Sequence, residues 1–175
     1  MTAADLVAVA DVARAERFSV ALVEQPYHVA GRRSPAPAPR LDEAWIAVVD
    51  HLREGELADL PLIVGGRSAG ARVACRTAAE TDAVAVLCLA FPLHPPGRPE
   101  KSRQAELDAV QLPVLVVQGT ADPFGMPSAG PRHTLVKVPG NHSLKGGLDE
   151  VAAAVRDWLP GVVGSGAVEA AGPTA

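Results

Sequence analysis

The sequence predicts an α/β domain over residues 1–160, a three-layer arrangement with helices on both faces of a mostly parallel sheet. Short apolar runs alternate along the chain with stretches whose apolar residues recur at helical spacing. The runs are nearly continuous rather than alternately apolar and polar, which marks strands buried on both faces. The length of 175 residues and hydrophobic content of 48% suffice for one core. With aromatic residues at only 3%, that core has to be built from Val, Leu, Ile and Ala.

Each element has its own warrant. Thr2 caps a first helix with Asp5 three residues on, and Leu6, Val9, Ala10 and Ala13 form its apolar face. Residues 18–23 read as a short strand, and residues 25–40, with four prolines, as a loop. Residues 41–54 form a helix with Asp42 and Glu43 in its first turn, an apolar stripe of Trp45, Val48, Val49 and Leu52, and a stop at Gly55. Strands follow at residues 61–64, 83–89, 113–118 and 133–138. Helices are expected at residues 68–80, near 103–110, and at 148–159, the last with Val151, Val155 and Trp158 on its inner face. Residues 91–100 are a Pro-rich loop. From Gly161 the Gly/Ala/Ser composition reads as a disordered tail. There is no internal repeat.

Composition excludes several functions. A net charge of −4 argues against a general nucleic-acid binder, which is normally basic. Cys75 and Cys88 have no metal-ligand spacing, are too few for a disulfide framework, and read as small buried hydrophobes. Asp5 and Asp11 interrupt the N-terminal apolar stretch and no basic region precedes it, so it is not a signal peptide. No apolar run approaches a membrane span, and the expected location is the cytoplasm.

Residues 66–70 read Gly-Arg-Ser-Ala-Gly, between an apolar run and an Ala-rich helical stretch. In a Gly-rich chain the pentapeptide alone is weak; between a strand and a helix it makes a nucleophile elbow, with Ser68 exposed at the strand end. The competing reading is a merely tight strand-to-helix turn. A serine hydroxyl is a poor nucleophile and needs a base, which needs an orienting acid. Asp122 follows the strand at residues 113–118, and His142 follows the strand at 133–138, so both fall on the rim where ligands bind in such sheets. Taken singly, Asp122 before Pro123 reads equally as a turn and His142 as an exposed loop histidine. Their joint placement favours a Ser68, Asp122, His142 constellation. His94 and His28 also sit in rim loops, but no acid occupies a neighbouring strand end for either.

Other motifs fail. The glycines at 65, 66 and 70 do not match a dinucleotide fingerprint, no Lys-Ser/Thr follows Gly70, and no metal-ligand cluster is present, so no cofactor or metal is expected. Rim loops carry Arg32, Arg33, Arg40, Arg67, Arg98, Lys101 and Arg103. They read either as a preference for an anionic substrate or as ordinary solvated charge. Arg67 and His94 are the candidate substrate-binding residues.

The segments Gly66–Gly70, Phe91–Lys101, Val117–Gly125 and Gly140–Ser143 together resemble one branch of the α/β-hydrolase superfamily. It is the bacterial group related to the hydrolase-like domain of a nonspecific-lethal histone acetyltransferase complex subunit and to a testis-expressed protein, with dienelactone hydrolases as distant kin. The similarity covers about residues 1–159, and its most specific piece is Pro92-Leu93-His94-Pro95-Pro96-Gly97. It implies Ser68 as nucleophile, Asp122 as acid, His142 as base, and the N–H of Ala69 as an oxyanion-hole donor. Family members begin with a strand ending in a His-Gly-x-Gly-like loop that supplies the second donor. This sequence starts in the helix after that strand, so the expected domain is N-terminally truncated. Its sheet must close the gap or expose edges that invite a second copy. Three functions are carried forward: a serine hydrolase of a small-molecule ester or thioester; a catalytically weak hydrolase-like interaction module; and a nucleotide-binding domain, which the failed motifs disfavour.

Overall fold

Four apolar runs pair side by side into one sheet. The computed structural model of the chain describes residues 3–32, 34–55 and 57–169. The strands are β1 (Ile63–Arg67), β2 (Ala85–Leu89), β3 (Val114–Gly119) and β4 (His133–Val138), in the spatial order β1-β2-β3-β4 with every pair parallel. The helices are α1 (Ala4–Ala15), α2 (Pro26–Val29), α3 (Ala38–Arg53), α4 (Ala69–Thr77), α5 (Gln104–Asp108) and α6 (Leu148–Glu169). All residues of β2 and β3 are buried, as continuous apolar strands require.

Side chains alternate across the sheet and divide the core in two. On one face Val86, Cys88, Val114 and Val116 pack with Ala71, Ala74 and Cys75 of α4, Leu107 of α5 and Trp45 of α3. On the other, Leu87, Leu89, Leu115 and Val117 pack with Val12 of α1 and Val151, Val155 and Leu159 of α6. This is the three-layer α/β arrangement expected from the sequence. Ion pairs fasten the outside of the first face. Arg76 bonds Asp42 (Nε to Oδ2, 2.8 Å) and Arg72 bonds Glu106 (Nε to Oε2, 2.8 Å), joining α3, α4 and α5. Burial alone would raise the Glu106 pKa, but Arg72 and Arg76 together hold it below the usual carboxylate range.

Several boundaries differ from the sequence reading. Residues 18–23 form no strand and belong to no ladder, and β1 stands at the edge of the sheet without them. Thr2 lies outside the described residues; Ala3 occupies the α1 N-cap with no side-chain cap, and Asp5 turns inward. The loop at 25–40 contains the single turn α2, and α3 begins at Ala38 with proline in its first turn, where the missing N–H costs nothing. The expected disordered tail needs correction. Helix α6 continues through Pro160 to Glu169, and Val162 is buried; residues 170–175 lie outside the described residues.

Candidate active site

The elbow is built from the backbone outward. At the end of β1, Ser68 holds φ 54° and ψ −115°, a region that costs a non-glycine residue about 1–3 kcal/mol. Its N–H donates to Leu89 O of β2 at 2.9 Å, and its own carbonyl accepts from Ala71 N–H at 3.1 Å in the first turn of α4. Only one motif glycine is sterically required. A Cβ on Gly66 would stand 2.5 Å from the Gly70 carbonyl carbon and 2.9 Å from Ala71 N, whereas one on Gly70 would meet open space. Ala69 opens α4, and the first N–H groups of a helix have no intrahelical acceptor.

Asp122 and His142 arrive from adjacent strands. Ser68 Oγ lies 2.8 Å from His142 Nε2, and His142 Nδ1 lies 2.8 Å from Asp122 Oδ2. The Asp122 carboxylate is fully buried, and the His142 side chain is 18% exposed. Both carboxylate oxygens are held. Oδ1 accepts from Phe124 N–H at 2.9 Å, and Oδ2 accepts from Gln118 Nε2 at 2.9 Å as well as from His142. Gln118 is itself buried at the end of β3, and its Nε2 also reaches Gly125 O (2.9 Å) and Phe91 O (3.2 Å). The Phe124 ring covers the His142 imidazole at 4.2 Å between centroids. Beneath them β3 and the His142 loop touch backbone to backbone. A Cβ on Gly119 would fall 2.6 Å from Asn141 O and 2.7 Å from Gly140 O.

An alpha/beta hydrolase domain model matches residues 1–147, most of the chain. The chain belongs to the alpha/beta hydrolase family. Among solved structures it resembles a protein from Xanthomonas campestris pv. campestris assigned to the hydrolases of the alpha/beta superfamily. That match has a TM-score of 0.66 at 15% identity and covers 90% of each chain. It also resembles a Xanthomonas campestris protein described as an a/b serine hydrolase without lid, with a TM-score of 0.61 at 25% identity, covering 88% of this chain and 72% of that one. An alpha-beta serine hydrolase homologue from Coxiella burnetii matches at a TM-score of 0.55 and 18% identity, over 73% of this chain and 62% of that one.

Of the remaining candidates, Arg67 lies against the His142 loop and His94 against the Asp122 loop. Arg67 turns inward: its Nε stands 2.8 Å from Asp5 Oδ2 and its Nη2 donates to His142 O at 2.8 Å. His94 leans on the Asp122 loop. Its Nδ1 is 2.9 Å from Pro95 O, its backbone N–H donates to Phe124 O, and its Nε2 would stand 2.5 Å from a Cβ on Gly125. His28 is exposed on α2 beside Tyr27, whose hydroxyl pKa is raised by burial. Cavities of about 600 and 590 Å³ flank α3, one against Phe18 and Val20 and the other against Tyr27 and Arg32, and neither is lined by Ser68, Asp122 or His142. Cys75 and Cys88 are buried free thiols, and the contact with Cys75 together with burial pushes the Cys88 pKa well up. Among the described residues no cluster of three His, Cys, Asp or Glu side chains is arranged to hold a metal, and no helix is long and apolar enough to cross a membrane.

Sequence reasoning missed Asp5 and Gln118 as parts of this site. Both left a signal. Asp5 lies one heptad before the buried Val12, on the inward stripe of α1, and Gln118 is the polar residue in an otherwise apolar buried strand. A buried polar side chain needs a partner, and each of these has one at the site.

Proposed function

We infer that the chain is a serine hydrolase that cleaves a small-molecule ester or thioester through an acyl-enzyme on Ser68. The observation that carries this reading is the pair of 2.8 Å contacts running from Ser68 Oγ through His142 to Asp122. A carboxylate only accepts, so His142 keeps its proton on Nδ1 toward Asp122 and offers the Nε2 lone pair to the serine. Ser68 Oγ bonds to the substrate carbonyl carbon as its proton passes to Nε2. The oxyanion draws on Ala69 N–H and the positive end of α4. Collapse breaks the bond to the leaving alcohol or thiol, which takes the proton from Nε2. Water, deprotonated by the same nitrogen, then bonds to the acyl carbon, the bond to Ser68 Oγ breaks to release the acid, and Oγ takes the proton back from Nε2. Within the family, the Pro92–Gly97 motif supports a place in the bacterial branch described above.

Labelling with a fluorophosphonate tests the reading. Wild type is expected to label, Ser68→Ala to lose labelling altogether, and His142→Ala to slow it by on the order of a thousandfold or more. Labelling that persists in Ser68→Ala removes Ser68 as nucleophile.

A second reading, a hydrolase-like binding module, is favoured by the outer edge of β1, which has no strand partner among the described residues. Folded wild-type protein that leaves the probe unreacted, while self-associating by light scattering, would select it.

A further inference from the structure

We propose that Asp5 and Arg67 form a clamp that positions His142 against Ser68, so that Arg67 is a positioning residue rather than a substrate ligand. The proposal rests on the triad reading above.

Arg67 and Ser68 are consecutive, so a peptide link fixes the guanidinium stem to the nucleophile. The far end of the same side chain donates from Nη2 to the main-chain oxygen of His142 at 2.8 Å. The His142 ring returns to Ser68 Oγ at 2.8 Å. These contacts close a small loop: Ser68, the Arg67 side chain, the His142 main chain, the His142 imidazole, and Ser68 again. The loop fixes the separation of nucleophile and base from a side independent of Asp122.

Asp5 gives the bracket its direction. Its side chain is 1% exposed, and Oδ1 accepts from Leu6 N–H at 3.0 Å. Oδ2 stands 2.8 Å from Arg67 Nε; the pair is a close ionic contact without an aligned hydrogen bond, and neither atom has another partner among the described residues. A buried carboxylate without its cation is strongly disfavoured, so each member holds the other in place. The planar guanidinium meets two groups at once, an ionic contact with α1 and a hydrogen bond to the His142 loop, which a lysine ammonium on a flexible stem does not reproduce. The first helix is thereby tied into the site.

The test compares wild type with Arg67→Met, Arg67→Lys, Asp5→Asn and the Asp5→Asn/Arg67→Met double variant, each checked for folding by thermal unfolding. Two readouts are taken: the split of fluorophosphonate labelling into its binding constant and its maximal rate, and the proton NMR signal of His142 Nδ1–H. A misplacement of about 1 Å costs on the order of a hundredfold. Arg67→Met is therefore expected to slow the maximal labelling rate by about 10- to 100-fold, leave probe binding unchanged, and broaden or abolish the His142 signal. Arg67→Lys recovers part of both, and the double variant is no slower than Arg67→Met. Should Arg67→Met not fold, Arg67→Lys and Asp5→Asn carry the same comparison with smaller changes. Folded variants with wild-type rates and an unchanged His142 signal overturn the clamp. So does a loss confined to probe binding, which would return Arg67 to substrate recognition. A wild type that never labels defeats the hydrolase reading, and the NMR signal, which needs no turnover, still decides the clamp.

Discussion

Residues 18–23 (Phe-Ser-Val-Ala-Leu-Val) and β3 (Val-Leu-Val-Val-Gln-Gly) are composed alike and have opposite fates. β3 bonds β2 on one side and β4 on the other, and all of it is buried. Residues 18–23 have no ladder, and Ser19, Ala21 and Leu22 face solvent. The difference teaches that an apolar run with β-branched residues is not a strand by composition alone; it becomes one only where a neighbouring strand meets it in register. Stability and catalytic geometry should therefore depend on the β2–β3 centre far more than on the stretch between α1 and α2.

The sharpest test is truncation on either side. Leu115→Ala, at a fully buried site in β3, is expected to cost about 2–5 kcal/mol in urea unfolding. Leu22→Ala, at a side chain 50% exposed, should change stability by less than about 0.5 kcal/mol. Equal costs would mean that residues 18–23 are packed as a strand after all.

A subtler probe divides the elbow. Gly66→Ala drives a Cβ into the Gly70 and Ala71 backbone and is expected to cost about 1–3 kcal/mol, with Ser68 labelling reduced. Gly70→Ala enters open space in a helix and should be neutral or stabilising by up to about 1 kcal/mol. Matching melting temperatures for the two variants would contradict the asymmetry.

A third probe concerns the ion pairs behind the first core face. Glu106→Gln should cost about 1–2 kcal/mol at pH 7, between the values for exposed and buried pairs. Because the folded-state pKa of Glu106 is lowered, its contribution is complete above the unfolded value of about 4.3 and is lost as pH falls through the folded value. Urea unfolding at pH 7 and below pH 4 should show the gap between wild type and Glu106→Gln closing at the acid end.

The sheet was legible where strands are central, because burial on both faces leaves an uninterrupted apolar run. Helix limits were less so. The last helix is expected to end at residue 159, yet α6 runs on through Pro160, and α3 starts three residues early because a first turn tolerates Pro39. At the site, Ser68, Asp122 and His142 could be singled out because each follows a readable strand. The partner of Asp5 was hidden because Arg67 lies beyond two further helices, whereas Gln118 holds Asp122 only four residues on and was passed over as one polar residue in an apolar strand. The inward turn of Arg67 was equally invisible, since a rim arginine looks the same whether it faces solvent or a buried acid.

The bare backbone at Gly119 couples the loops around the site to one another. With the Asn141 and Gly140 carbonyls pressed where a side chain would stand, and Ala121 N–H bonded to Gly140 O at 2.9 Å, the loops bearing Asp122 and His142 have no slack between them. They form one jaw of fixed shape. The Pro-rich loop after β2 is tied to the same jaw, since His94 N–H donates to Phe124 O and Gln118, which holds Asp122, also donates to Phe91 O, so a substitution there is felt at Asp122.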